Sequence, residues 1–352
     1  MSEAVYVVSV GAMTPLGQGA LASAAAVRAG LTGFGQHPYM VDEVGEPMNV
    51  ARVASLDVSL VGARRFEALL GPAIDEVLVA IDDASRRAGV RCALALALPA
   101  ARPGVPEDLA QALTRHVRQR HGDLFNAIAV LPHGHAAGCV GLNAAWLKLS
   151  QGGLDACVLA GVDSYMDPLS LEWLEANDQL HGGGRFNNAW GMIPGEAGGA
   201  ALLVRESLLN ERGWRPLARV LGASVGHEPK RIKTDAVCIG EGLTTVFKQA
   251  LAGLPEGMQV TDIYCDMNGE PYRADEYGFT ALRTKDHFVS PSRFHAPADC
   301  WGDVGAAGGL LHMMLACVAG HKRYGNGPLS FVWGSSEGGE RAAALLGTMA
   351  GG

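Results

Sequence analysis

Short apolar runs recur along the chain and are separated by longer segments with helical spacing of apolar residues. Runs of this kind, bounded by glycine, proline or polar residues, are typical of buried strands. We predict such strands at residues 5–10, 92–98, 128–131, 156–160, 200–204, 218–221, 263–266 and 328–333. Helices are predicted for the alanine-rich segment ending near residue 29 and for residues 66–89, 106–121, 136–150, 244–251 and 305–318.

The alternation of strands and helices indicates an α/β protein, and the second half of the chain repeats the rhythm of the first. The strands are apolar throughout, which favours parallel sheets covered on both faces. No low-complexity linker separates the halves. We therefore predict two intimately packed α/β halves, formed by residues 1–205 and 206–352.

Length, composition and charge exclude several classes of protein. The chain has 352 residues, of which 48% are hydrophobic, and this is enough for a large core. Its formal charge of −8 argues against a nucleic-acid-binding protein, because such proteins carry basic faces. No apolar run is long enough to span a membrane, so we expect no membrane span.

The cysteines indicate a reducing compartment. There are seven, none forms a CxxC pair, and several lie within apolar runs. Buried reduced thiols are the simplest interpretation. The N-terminus lacks the basic and apolar regions of a signal peptide, so we expect a cytoplasmic protein.

Four segments, taken in order, carry a family resemblance. They are VSVGAMTPLG at residues 8–17; GHAAG at 134–138 with GGLDACVLAGVD at 152–163; RFNN at 185–188 with PGEAGGAALL at 194–203; and DMNG at 266–269 with GDVGAAG at 302–308. In this order they resemble the β-ketoacyl synthases of the thiolase superfamily. The resemblance implies a five-layer α-β-α-β-α sandwich of two pseudo-equivalent halves. It also implies a dimer, either a homodimer or a ketosynthase-like heterodimer.

The resemblance also locates a site whose catalytic residues are replaced. His135 stands where the family has its nucleophilic cysteine. Asn268 and Asp303 stand where it has two histidines, although the loop before Gly305 is one residue shorter. The remaining residues that the resemblance assigns to the binding site are Phe186, Glu337, Gly338 and Gly339, with the acidic Glu337 in place of an aromatic gate residue.

These replacements argue against Claisen condensation. An imidazole cannot replace a thiolate as a stable acyl carrier, and at a helix N-terminus we expect His135 to be neutral. Asp303 could orient His135 as a general base for hydrolysis if the two side chains face each other. Cys139 is interpreted as a buried structural thiol. Cys300 is a slightly better candidate for a replacement nucleophile, but nothing near it in sequence supplies a base. A zinc site at His133, His135 and Asp303 lacks a third strong ligand, so we expect no metal and no cofactor.

Three functions remain open. The first is a catalytically degenerate ketosynthase-like protein that binds a partner, as a silent ketosynthase subunit or as a helper for loading type VI secretion effectors. Its partner would be a secretion effector, a ketosynthase or an acyl carrier protein. The second is an acyltransferase or thioesterase-like enzyme that acts on acyl thioesters through His135 and Asp303. The third is an acyl-group sensor without turnover. An open apolar tunnel would favour the second or third function, and a plugged pocket the first.

Overall fold

The computed structural model describes residues 3–80, 90–232, 234 and 236–351. The strands, numbered β1 to β12, are Val5–Thr14, Gly17–Gln18, Phe34–Val41, Pro47–Ala51, Cys92–Ala97, Ala127–Leu131, Ala156–Ser164, Glu196–Arg205, Ala218–His227, Asp262–Tyr264, Leu329–Ser335 and Glu340–Thr348. The helices, numbered α1 to α10, are Ala20–Arg28, Ala63–Leu78, Leu109–His121, Ala137–Ser150, Pro168–Ala176, Glu206–Arg212, Glu241–Leu251, Pro271–Thr284, Ala298–Trp301 and Gly308–His321.

One continuous mixed sheet runs through the molecule. Its strand order is β10-β11-β12-β9-β1-β8-β7-β5-β6, with β2 paired to β1. Only the pairs β5–β6, β5–β7 and β10–β11 are parallel, and the other pairs within this sheet are antiparallel. The prediction of parallel sheets was therefore wrong. Strands buried on both faces are uniformly apolar whichever direction their neighbours run, so the apolar pattern could not reveal direction.

The sheet contains the same arrangement twice. In the first part β1 is antiparallel to β8, β8 is antiparallel to β7, and β7 is parallel to β5. In the second part β9, β12, β11 and β10 repeat this order and these directions. The two parts join through three residue pairs, Val5–Val220, Tyr6–Arg219 and Val7–Ala218. This repeat is the pseudo-equivalence predicted from the sequence; the division at residue 205 stays a prediction.

Two central helices fill the space between the two parts of the sheet. Helix α4 packs on β7, β9 and β12, and helix α10 packs on β8, β1 and β11. Twelve of the fourteen residues of α10 are buried, as expected for a helix covered on all sides. Helix α2 covers the outer face of the first part, and α7 covers that of the second. Together these elements form five layers.

The two central helices approach each other at glycines. A Cβ atom on Gly138 would lie 3.0 Å from the backbone nitrogen of Leu310. A Cβ atom on Gly309 would lie 3.1 Å from the nitrogen of Cys139 and 3.2 Å from its Sγ. The absence of side chains at Gly138 and Gly309 lets the beginnings of α4 and α10 meet, and this contact positions the candidate site.

The predicted strands are all present, and several elements were not predicted. The missed elements are the short strand β2, the β3–β4 hairpin, helices α5, α6, α8 and α9, and strand β12. The helix predicted at residues 66–89 begins earlier, at Ala63, and α2 ends at Leu78. Residues 81–89 of that prediction lie outside the described residues. Among the described helices, none has the length and apolar character that crossing a membrane requires.

The helix contact gives a stability test. We expect Gly309→Val to lower the free energy of unfolding by about 1–3 kcal/mol, because the added carbons overpack the contact with Cys139. Gly278→Ala is the control, since a Cβ there meets nothing within 4 Å in the exposed part of α8. It should leave stability unchanged or raise it by up to about 1 kcal/mol. Urea unfolding measures both, and equal stabilities would contradict the packing described.

Candidate functional site

His135 lies on a tight turn between strand β6 and helix α4. A single 3₁₀ turn, Gly134–Ala136, precedes the helix, and Gly134 adopts a φ of +64°. Ser336, just after β11, fastens this turn. Its Oγ accepts a hydrogen bond from the Ala136 nitrogen at 2.9 Å and donates one to the His133 carbonyl. The imidazole is thereby placed at the start of a central helix.

Asp303 occupies the corresponding place before the second central helix. It precedes the 3₁₀ turn Gly305–Ala307, which leads directly into α10. The Nε2 atom of His135 lies 2.9 Å from both carboxylate oxygens of Asp303. The side chains are 11% and 3% exposed, so this is a buried pair. The two residues face each other, as the general-base hypothesis requires.

Asn268 completes a cluster of the three positions that the resemblance assigns to catalysis. Its Nδ2 donates to Asp303 Oδ2 at 2.6 Å and to Glu270 Oε2 at 3.0 Å. The other oxygen of Asp303, Oδ1, accepts a hydrogen bond from the Gly305 nitrogen at 2.8 Å. The replaced residues therefore form a connected hydrogen-bond network.

The network continues into buried charges that the sequence analysis missed. Arg273, 1% exposed, donates to Glu270 at 3.3 Å and to Asp266 at 2.8 Å. Gln179 donates to Glu270 at 2.8 Å and to Glu337 at 2.7 Å. Charged residues normally read as surface positions, so their pattern gave no sign of a site. The nearest signal was that Glu270 follows Asn268 by two positions.

The electrostatics of the pair favour a charged imidazole. Burial opposes ionisation of His135, but the Asp303 carboxylate more than offsets this, and the pKa of His135 is raised. Burial likewise opposes ionisation of Asp303, yet the interaction with His135 holds its pKa well below the usual range. The raised pKa runs against the prediction of a neutral His135, because the neighbouring carboxylate favours the charged form of the imidazole.

A pocket of about 320 Å³ reaches His135. Its polar and charged lining comprises Arg102, His135, Asp163, Glu270, Ser336 and Glu337, and its larger apolar and aromatic lining residues are Tyr165, Trp173, Leu174 and Met192. Asp163 forms an ion pair with Arg102 at 2.6 Å, and the guanidinium of Arg102 stacks 4.0 Å from the centre of the Tyr165 ring. The pocket is small and mixed in polarity rather than an open apolar tunnel.

The residues predicted for binding separate into two groups. Glu337 and Gly338 line the pocket. Gly339 does not line it, and a Cβ there would lie 2.4 Å from the His227 ring. Phe186 lies on the loop before β8 and is 87% exposed, outside the pocket lining.

None of the described cysteines lines this pocket. Cys139 is buried in α4, and burial raises the pKa of its thiol to about 12. Cys300 is partly buried, and burial raises its pKa as well. Both thiols are therefore protonated at neutral pH and poorly suited to act as nucleophiles.

Metal-ligating groups converge at one place in the described part of the chain, and it does not include His135. Glu228, Cys238 and Glu276 present oxygen and sulfur atoms within 4.8 Å of one another. Both carboxylates already have protein partners. Glu228 accepts hydrogen bonds from backbone nitrogens, including that of Gly242 at 2.7 Å, and Glu276 accepts one from Arg341 at 2.7 Å. These contacts give the cluster a structural role.

The arginines of helix α3 are largely neutralised. Arg120 pairs with Asp75, Arg115 lies 3.6 Å from Asp108, and His116 lies 3.7 Å from Glu67. This helix face is therefore a surface of mixed charge rather than a basic patch.

Comparisons with known proteins identify the class of fold. One similar structure is described as a type II polyketide acyl carrier protein in complex with its ketosynthase bound to the hexaketide. It superposes with a TM-score of 0.82 at 15% sequence identity, and the match covers 99% of this chain and 100% of the other. The ishigamide ketosynthase/chain length factor gives 0.69 at 19% identity, covering 98% and 99%. The oxazolomycin ketosynthase domain of Streptomyces albus JA3453 gives 0.76 at 14% identity, covering 98% and 74%.

The chain thus has the thiolase-like fold of ketosynthases and chain length factors, as the sequence resemblance implied. No family model and no curated protein matches its sequence. At these identities the comparisons establish the fold, and the chemistry has to be argued from the site itself.

The buried pair predicts a specific dependence of stability on pH. The lowered pKa of Asp303 adds stability above the unfolded-state value near 4, which is lost as the pH falls through the folded-state pKa. The raised pKa of His135 adds stability below about pH 6.5, which is lost as the pH rises through its folded-state pKa. The pair therefore contributes fully between about pH 4 and 6.5.

We expect Asp303→Asn to cost about 3 kcal/mol of unfolding free energy near pH 5.5, and less near pH 8.5. The variant should also lower the pKa of His135, measured by NMR titration. Asp75→Asn, which breaks the exposed pair with Arg120, is the control and should cost less than about 1 kcal/mol. An unchanged His135 titration in Asp303→Asn would contradict the pair.

Proposed function

We propose that the protein is a catalytically degenerate member of the ketosynthase-like fold class that acts as a binding or scaffold partner. The observation that carries the proposal is the pairing of His135 with Asp303, at the position where the family resemblance places a thiolate. A condensing enzyme needs a nucleophile that holds an acyl group through a second step. An imidazole ion-paired with a carboxylate does not provide one.

The other replaced position supports the same conclusion. Asn268 does not titrate, and its amide is engaged by Asp303 and Glu270. These side chains are buried, and the network connects to Arg273. A connected buried network of this kind rigidifies a fold. The site residues thus support a structural role for the former catalytic centre.

The proposed partner is a ketosynthase-type protein in a heterodimer, or a second copy of this chain. Support comes from the neighbour described as a ketosynthase/chain length factor, and from the one described as an acyl carrier protein with its ketosynthase. An acyl carrier protein is the weaker candidate, because the chain carries a net charge of −8 and two arginines of α3, Arg115 and Arg120, are paired with aspartates. A role in loading type VI secretion effectors is the alternative scaffold function. The proposal places the protein in the cytoplasm.

A second function has one specific observation in its favour. The His135–Asp303 geometry, with a pocket reaching the imidazole, suits general-base hydrolysis of an acyl thioester. In that reaction His135 would take a proton from water, and the water oxygen would attack the thioester carbonyl and release the thiol. The raised pKa of His135 works against this, because the protonated form cannot accept a proton.

Turnover assays separate the two functions. We expect the purified protein to leave malonyl and acyl thioesters intact over the uncatalysed background, because no described cysteine lines the pocket. Thiol release and decarboxylation are the measurements. Activity that disappears in His135→Ala but persists in His133→Ala would establish the hydrolytic function instead. His133 is the matched control because it lies two residues away and does not line the pocket.

The edge strand β6 gives a test of the dimer. This strand ends the sheet, and no described strand pairs with its outer edge. An unpaired edge readily pairs with another chain. We expect a dimer by analytical ultracentrifugation, and Ala129→Lys should shift it to monomer by placing an ammonium group at the edge. Ala25→Lys, at an exposed position of α1, is the control. A monomeric wild-type protein would contradict the homodimer.

A further inference from the structure

A small cavity adjoins the pocket, and His135 borders both. The cavity lies among the ends of β10 and α9 and the beginning of α10. Its volume is about 10 Å³, close to the space that one water molecule occupies. Its polar lining residues are His135, Asp266, Asn268, Asp303 and His312. It is too small for a substrate.

Two polar atoms of this lining lack hydrogen-bond partners among the described residues. They are Asp266 Oδ1 and His312 Nδ1. Asp266 is 8% exposed and His312 is 3% exposed, so neither side chain is open to bulk solvent. Buried polar atoms are almost always hydrogen-bonded, to protein or to ordered water. Both atoms belong to residues that line the same cavity, and such a cavity suits a small occupant that satisfies them.

The surroundings define the chemistry of the occupant. The other oxygen of Asp266 accepts hydrogen bonds from the Ser335 nitrogen at 2.7 Å and from Arg273 at 2.8 Å. The carboxylates and imidazoles of this lining do not converge as metal ligands, since among the described residues only Glu228, Cys238 and Glu276 do so. The nearby Arg273 guanidinium would also repel a cation. Burial lowers the pKa of His312 to about 4, so its ring is neutral at pH 7. A small neutral molecule that can donate a hydrogen bond to a carboxylate and also bond to an imidazole fits both atoms.

We propose that the cavity is an internal hydration site, in which one ordered water molecule bridges Asp266 Oδ1 and His312 Nδ1. The water links the central helix α10 to the end of β10. Asp266 in turn accepts hydrogen bonds from Arg273 and from the backbone nitrogen of Ser335, the last residue of β11. His312 is thus a positioning residue for the buried network around His135, acting through the water.

A crystal structure of the full chain tests the site directly. We expect one density peak within about 2.7–3.2 Å of both Asp266 Oδ1 and His312 Nδ1. An empty cavity would overturn the proposal. A peak with anomalous signal, or with ligand distances below about 2.4 Å, would identify a metal ion and would overturn it as well.

Oxygen-17 relaxation dispersion tests the same site in solution by counting long-lived internal waters. We expect His312→Leu to retain one fewer than the wild type, because the water loses one of its two protein partners. His321→Leu, at the other end of α10, is the matched control and should leave the count unchanged. Equal counts in the wild type and His312→Leu would overturn the proposal. If His312→Leu does not fold, the wild-type density decides the question.

Discussion

The close contact between the beginnings of α4 and α10 is the constraint on which the site depends. Gly138 and Gly309 leave no room for side chains where the two helices meet. A 3₁₀ turn leads into each helix. His135 lies within the turn before α4, and Asp303 lies two residues before the turn that leads into α10. Because the helix ends meet, residues 168 positions apart in sequence share a bifurcated hydrogen bond from one imidazole nitrogen to both carboxylate oxygens. The fold brings these two positions together whatever residues occupy them.

The residues present turn this junction into a charge pair. Burying two ions costs free energy, and their attraction repays it only when the remaining polar atoms are also bonded. Here Asn268 and the Gly305 nitrogen bond the carboxylate of Asp303. A catalytic centre needs groups that can change protonation or bond to substrate during turnover. The groups at this centre instead form hydrogen bonds with one another, and this observation underlies the scaffold role that we propose.

The sequence predicted the buried strands well because a short, uninterrupted apolar run bounded by turn residues is too brief for a helix and too apolar for a surface loop. Elements whose residues do not follow such a clear apolar pattern were missed. Strand β12 is rich in alanine and leucine, which are also good helix formers, so its sequence does not distinguish the two structures. Helix α8 buries Arg273 and Glu276, and these charges interrupt the apolar spacing that would have revealed it.

The site residues likewise divide into those that the sequence located and those that it did not. His135, Asn268 and Asp303 could be located from their neighbouring glycine motifs. Glu270 and Arg273 could not, because only the tertiary structure shows that these charges are buried and paired. The raised pKa of His135 could not be predicted for a related reason. It depends on a carboxylate contact whose geometry the sequence does not contain.

The position of β1 has a consequence for synthesis of the chain. This strand precedes β8 and β9 in the chain, yet it lies between them, and Val5 pairs with Arg205 on one side and Val220 on the other. During translation β1 therefore has no native neighbour among the large strands until β8 has been made. Its apolar residues must stay unpaired over that period, which is when exposed strand edges are most prone to aggregate. A chaperone that holds this segment would act on the chain before β8 is available to pair with it.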